Sequence, residues 1–315
     1  MRLPTAPDGS RGCSALARYT GEQISGTAGR TTGWLLVEHS GPWRHPAFAS
    51  PGLDKDAVAE LAARIAGTGI KPQLIKRPGT TSRAASPTGP LRAYYVHVSR
   101  TRPWVRRVDF ENLSELLAHD VTAVERPEPP SFGVPVDHTL YLVCTHAKKD
   151  PCCAVLGRPV ASALAGGRAE VWETTHVGGD RFAANLVTLP QGVYFGRLEP
   201  ESAVRTVAAF ERGLVLAENY RGRCSDSSAA QAAEAALRAR LGTVGLDSIA
   251  HLCEEETADG VRVTLGHDGG LYTVSVSAVE GQECPTTCSA LSPSRPVHHR
   301  VTEIRESRST AASPN

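Results

Sequence analysis

The chain has 315 residues, enough for a sizeable core and more than one folding unit. Its 41% hydrophobic and 21% charged residues are those of an ordinary globular protein, and its formal net charge of +1 gives no electrostatic footprint for nucleic acid and no polybasic membrane patch. No apolar run approaches the roughly 20 residues that span a bilayer, and Met1–Gly12 has no apolar signal core, so a cytoplasmic location is expected, with the eight cysteines as reduced thiols or metal ligands.

In chain order, residues 1–12 read as a disordered leader. Trp34-Leu-Leu-Val-Glu-His39 reads as a buried strand, stopped by Gly41-Pro42. Asp54 caps a predicted helix running to about Ala66, with Val58, Leu61, Ala62 and Ile65 on one face. Gln73–Lys76 is a strand, Arg77–Pro90 a loop, Leu91–Ser99 and Val105–Phe110 strands, and Leu113–Ala118 a short helix. Glu125-Arg-Pro-Glu-Pro-Pro130 has the composition of a linker.

A second βαβ pattern follows: strand Leu140–Val143, a helix including Pro159–Leu164, and strand Ala169–Glu173. Phe182–Leu189 and Val193–Arg197 read as a hairpin around Pro190-Gln-Gly192, and Pro200–Tyr220 as largely helical. Leu-Leu-Val-Glu38 can be laid on Tyr-Leu-Val-Cys144, which suggests a duplication whose first copy lost its ligands; any two βαβ units would also look alike. After Cys224 come an alanine-rich helix, Ser225–Leu241, and a hairpin of Val261–Leu265 with Leu271–Val279 around Gly269-Gly270. The tail from Arg305 reads as disordered.

Chemistry concentrates in Cys144-Thr-His-Ala-Lys-Lys-Asp-Pro-Cys-Cys153 and His176-Val-Gly-Gly-Asp180. Thiolates and imidazole suit soft metal sites. Cys144 falls at the C-terminal end of a strand, where α/β folds place their sites. Lys148 and Lys149 favour thiolate, and His176 arrives from the end of the next strand, with Asp180 four positions on. Cys152, next to Cys153, is read as a buried thiol beside the site. Cys13, Cys224 and Cys253 are read as core residues, and His298-His299 as an exposed pair. Asn185 is a candidate partner of the His176 loop. Cys284-Pro-Thr-Thr-Cys288 is a secondary ligand pair that would have to fold back to the site.

These two motifs, with Cys13-Ser-Ala-Leu-Ala, Trp34-Leu-Leu-Val-Glu-His-Ser-Gly-Pro-Trp43 and Leu189-Pro-Gln-Gly-Val-Tyr-Phe-Gly-Arg197, resemble the sucrase/ferredoxin-like family, relatives of thioredoxin-like [2Fe–2S] ferredoxins. The resemblance covers roughly residues 13–220. It implies an α/β fold of two tandem thioredoxin-like domains (a degenerate one at 13–124 and a ferredoxin-type one at 131–222) followed by a small α+β segment at 225–305. It further implies a [2Fe–2S] cluster carrying single electrons to a redox partner protein, with Cys144 and Cys153 on one iron and His176 on the other. Fungal relatives carry His-x-Gly-Gly-His, and the second of those histidines is Asp180 here. The family's name is no evidence of sucrase activity, because a glycosidase needs a matched carboxylate pair and no motif identifies one. Two other readings remain open: a thiol-redox protein using Cys152 or Cys153, disfavoured by the lack of Cys-x-x-Cys at the strand–helix junction, and a structural zinc site built from Cys144, Cys153, His176 and Asp180.

Overall fold

Ten strands build one mixed sheet: β1 (Gly33–Glu38), β2 (Ile70–Lys76), β3 (Leu91–His97), β4 (Trp104–Phe110), β5 (Val134–Pro135), β6 (Leu140–Cys144), β7 (Glu170–Thr174), β8 (Leu186–Leu189), β9 (Val193–Phe195) and β10 (Tyr220–Arg223), in the order β10-β9-β8-β6-β7-β2-β1-β3-β4-β5. The computed structural model describes residues 3–80, 89–167 and 169–308. Two pairs are parallel, β1 with β2 and β6 with β7; after the N-terminal helix α1 (Cys13–Tyr19), each parallel pair is bridged by a helix, α2 (Lys55–Ile65) and α3 (Pro151–Ala165). A parallel pair needs such a crossover. The remaining pairings are antiparallel.

The two halves repeat one strand order, β2-β1-β3-β4 and β7-β6-β8-β9, and join where β2 meets β7 antiparallel through Ile75↔Thr174 and Lys76↔Glu173. The sheet is therefore continuous across both halves. Helices and turns cover it, so the central strands are apolar on both faces. In β6, Leu140, Leu142 and Cys144 face one core with Trp34, Trp172 and Tyr194, while Tyr141 and Val143 face another with Val160, Leu164 and Phe210. This alternation puts the Cys144 thiol on the same face as Leu142.

After β10 comes α5 (Ser228–Leu241), then a four-stranded antiparallel sheet of β11 (Ala250–Thr257), β12 (Gly260–His267), β13 (Gly270–Glu280) and β14 (Val297–Arg308). Alanines 229, 230 and 233 and Leu237 pack α5 onto Val263, Leu265, Val274 and Val276. The opposite side of α5 is tied to the large sheet. The buried Gln231 amide donates to the carbonyls of Ala28, Arg223 and Asp226, and Arg100 pairs with Asp226 and Glu234. No helix among the described residues is long and apolar enough to cross a membrane.

Several boundaries differ from the sequence reading. Of the expected leader, Met1 and Arg2 lie outside the described residues, but 3–12 is folded, with a Thr5↔Arg11 bridge and a buried Ala6. The expected strand over Phe182–Leu189 is a turn at Asp180–Phe182 and a strand only from Leu186, and the helix from Pro200 (α4, Pro200–Phe210) stops ten residues before Tyr220, at a turn ending in Gly213 with φ 73°. Three residues separate the linker by composition from β5, which pairs with β4. The β12–β13 turn has Asp268 at φ 47° and Gly269 at φ 76°, the positive pair that a tight hairpin turn demands. The expected disordered tail is strand as far as Arg308. The expected loop over Arg77–Pro90 falls partly outside the described residues. Cys253 is exposed, not core, and His298 and His299 are half-buried in β14.

Candidate metal centre

The centre forms where β6 ends and α3 begins. Asp150 caps α3 by accepting the Cys152 N–H at 2.8 Å, and Pro151 occupies the first turn, where its missing N–H costs nothing. This fixes the helix start and carries the Cys153 side chain back toward Cys144. Close approach of α3 to β6 depends on Gly157, because a Cβ there would sit 2.1 Å from the Cys144 carbonyl oxygen.

His176 comes from the loop after β7, and four consecutive carbonyls of that loop are each held by a different side chain. Gln73 donates to the carbonyl of His176, Lys71 to that of Val177, Arg221 to that of Gly178 and Asn185 to that of Gly179. Arg221 also donates to Asn185 Oδ1 at 2.8 Å, and both are about 1% exposed. Gly178 (φ 103°) and Gly179 (φ 77°) let the chain turn, and a Cβ on Gly179 would meet Arg221 Nη2 at 2.5 Å. Gln73 and Lys71 belong to β2, so the first half of the sheet supports a loop of the second.

The result is a compact donor set. One donor atom from each of Cys144, Cys153 and His176 lies within 4.8 Å of the others. His176 Nδ1 is 4.0 Å from Cys153 Sγ and 2.9 Å from Asp180 Oδ1, and Asp180 Oδ1 is 3.6 Å from Cys153 Sγ. Cys144 and Cys153 are buried, and His176 alone of the four reaches solvent, its side chain 24% exposed.

The protons distribute unevenly. Contact with the Cys153 thiol, reinforced by His176 and opposed by burial, holds Cys144 well below the usual thiol range as a thiolate. The same contact, with burial, pushes Cys153 up, so it keeps its proton. Burial works against charge on His176, but Asp180 and Cys144 outweigh it and raise the imidazole to about 9. Asp180 is likewise opposed by burial and lowered by His176. Two cations flank the site, Arg221 buried and Lys71 half-buried. Lys71, over the Trp34 ring, is brought down to about 8 by burial, and Arg221 to about 10 by burial. A buried Cys153 that retains its proton is the opposite of a reactive nucleophile.

The family profile described as sucrase/ferredoxin-like matches residues 24–222. The chain belongs to the sucrase/ferredoxin-like family. Within curated proteins, this family member is similar to altered inheritance of mitochondria protein 32 of Eremothecium gossypii, 28% identical over 109 residues (30% of this chain, 35% of the relative). It is also similar to the protein of that name in Meyerozyma guilliermondii, 25% identical over 167 residues (43% of this chain, 58% of the relative). The chain thus spans about a third of one relative and somewhat over half of the other. No solved structure matches.

Of the sequence-predicted site residues, Cys144, Cys153 and His176 converge, and Asp180 stands against His176 and Cys153. Cys284 and Cys288 do not join them. Cys284 lies in an isolated bridge with Ser294, and Cys288 sits beside Cys13 and Cys152. His146, between Cys144 and Cys153 in sequence, turns its Nε2 to the Arg44 carbonyl at 2.8 Å. Asn185 does hold the His176 loop, as expected. Lys71, Gln73 and Arg221 were missed; they act through tertiary contacts that no local pattern announces. So was the gathering of Cys13 and Cys152, although Cys13 directly follows a glycine at φ 103°.

Proposed function

We propose that this protein is a metal-binding member of its family whose centre is Cys144, Cys153, His176 and Asp180. The observation that carries this is the convergence of two thiols and an imidazole within 4.8 Å, the imidazole on a loop with four consecutive carbonyls held by side chains. A tetrahedral ion with metal–sulfur bonds of about 2.3 Å and metal–nitrogen or metal–oxygen bonds of about 2.0 Å holds two sulfurs about 3.8 Å apart, a sulfur and a lighter donor about 3.5 Å apart, and two lighter donors about 3.3 Å apart. The 3.6 Å from Cys153 to Asp180 matches such an edge, the 4.0 Å from Cys153 to His176 would close by about 0.5 Å, and the 2.9 Å between His176 and Asp180 would open by about 0.4 Å. His176 Nδ1 faces the thiols as well as Asp180, so an ion would take that nitrogen from its hydrogen bond and leave the carboxylate as fourth donor. Two thiolates, an imidazole and a carboxylate make a closed zinc-type site, which contributes to folding more than to catalysis.

A second reading is a [2Fe–2S] centre carrying single electrons to a partner protein. Family membership favours it, as do Lys71 and Arg221, whose charges would offset the negative charge of such a group, and the solvent-facing edge of His176. The donor set suits it chemically; its greater width needs His176 and Asp180 to stand farther from the thiolates than they do here. When bound, it would supply one-electron redox chemistry. The chain's own part would be to hold Cys144 as thiolate and keep water from the sulfurs.

The repeated strand order supports a duplicated thioredoxin-like unit, 13–124 and 131–222, with 225–305 added after it. Anaerobic purification followed by metal analysis and visible absorption separates the two readings. Colourless protein with stoichiometric zinc supports the first, and red-brown protein with iron and acid-labile sulfide the second. Protein that takes up neither would sink both.

A further inference from the structure

We propose a second metal site, built from Cys13, Cys152 and Cys288 with Asp150, that takes a single thiophilic cation of the zinc class. It is separate from the centre above and does not rest on that reading. Cys152 and Cys153 are consecutive on α3, about 100° apart around the helix, and belong to different buried clusters.

The sulfur atoms form a closed triangle. Cys13 Sγ to Cys152 Sγ is 3.8 Å, Cys152 Sγ to Cys288 Sγ 3.4 Å, and Cys288 Sγ to Cys13 Sγ 3.6 Å. Three thiolates on one tetrahedral ion at about 2.3 Å stand about 3.8 Å apart. Asp150 Oδ2 is 3.6 Å from Cys13 Sγ, close to the sulfur–oxygen edge of about 3.5 Å expected at such an ion. All four residues are buried, and their donor atoms lie within 4.8 Å of one another. A disulfide would use two of these thiols and strand the third, whereas a metal uses all three.

The surroundings are shaped for this triangle. Asp150 accepts the backbone N–H groups of Cys152 (2.8 Å) and Cys288 (2.6 Å) and the Thr287 hydroxyl (2.9 Å), so one carboxylate orients two of the three cysteines. The Cys13 N–H donates to Cys288 Sγ at 3.3 Å, a donor that favours thiolate. Gly12 makes room, since a Cβ there would lie 2.6 Å from Cys152 Sγ and 3.7 Å from Cys288 Sγ. The three cysteines come from the N-terminal segment, the first turn of α3 and the loop between β13 and β14. An ion here would cross-link parts of the chain up to 275 residues apart, and any of the thiols still protonated would lose its proton to solvent on loading.

The test uses the full chain carrying Cys144→Ser and Cys153→Ser, purified anaerobically with a non-thiol reductant and dialysed against zinc. About one equivalent of bound zinc is expected, falling at least tenfold when Cys13→Ser and Cys288→Ser are added. A folded background protein without zinc, or zinc content indifferent to the added substitutions, would overturn the proposal. Should these variants fail to fold, wild-type protein supplies the second measurement, mass-spectrometric mapping of alkylation with and without zinc. Protection of Cys13, Cys152 and Cys288 together supports the site, and equal labelling of all three with and without zinc rejects it.

Discussion

Gly157→Ala probes the seat of α3 on β6 without touching a donor atom. The added Cβ would lie 2.1 Å from the Cys144 carbonyl oxygen and 3.2 Å from its carbon. An ordinary carbon–oxygen contact is about 3.3 Å, so helix and strand must part by about 1 Å, and no flexible side chain is there to yield. Overpacking of this kind costs about 1–3 kcal/mol, and alanine's better helix propensity returns about 0.5–1 kcal/mol. The net expectation is a loss of about 0.5–2 kcal/mol in urea unfolding of metal-free protein. The effect on the centre should be larger. A binding constellation tolerates displacements of about 0.5 Å, and a 1 Å shift carries Cys153 away from Cys144, so metal retention against a chelator should fall at least tenfold. Gly166→Ala, at the end of the same helix with φ −79° and nothing within 4 Å of the added carbon, is the control and should stay within about 0.5 kcal/mol of wild type. Gly157→Ala protein of wild-type stability and full metal content would refute this account of how Cys153 reaches the site.

Cys144→Ser and Cys153→Ser should each abolish metal binding at the main centre, and full occupancy in both would remove them as ligands. If iron and sulfide are found, His176→Cys should keep the cluster and lower its potential, because thiolate replaces neutral imidazole; an unchanged potential in redox titration would exclude His176. Gly179→Ala combines a positive φ with a clash against Arg221 and should cost about 1–3 kcal/mol in thermal unfolding; a neutral effect would mean the loop is not pinned as described. The metal-free protein should also show a particular pH profile, read as the difference from a Cys144→Ser/His176→Gln double variant. Below 6.5 the unfolded chain holds the Cys144 proton that the folded chain lacks, so stability rises with pH. Between 6.5 and about 9 the folded protein's extra proton on His176 balances its missing proton on Cys144, and the difference is flat. Above about 9 the folded chain loses the His176 proton while the unfolded chain loses the Cys144 proton, so the difference stays flat. A steady slope through the middle window would contradict the thiolate–imidazolium pair.

The main centre was legible because it is local. Cys144 ends an apolar strand, Cys153 follows a capped helix start, and His176 follows the next strand, so each position could be placed from turn and strand signals alone. Asp180 was legible only as a neighbour of His176. The support around it was not. Lys71, Gln73 and Arg221 reach the loop from β2 and β10, and nothing in their own segments marks them. Cys13 and Cys288 join Cys152 across separations of 139 and 136 residues, far beyond any spacing rule. β11 and most of β14 escaped because both are polar over long stretches. Ala250–Thr257 is exposed at nearly every position, so no alternation signals an edge strand. The two βαβ patterns occur in the order expected; the join between β2 and β7, only two residue pairs long, left no signal in the sequence.

The most direct test of the central claim is X-ray absorption spectroscopy of the bound metal in full-length Cys13→Ser/Cys288→Ser protein, which leaves Cys144, Cys153, His176 and Asp180 intact. The account predicts two sulfur neighbours near 2.3 Å and two lighter donors near 2.0 Å, one with the outer-shell scattering of imidazole. Metal-free protein, or a shell with no sulfur or with three or more protein sulfurs, would contradict it.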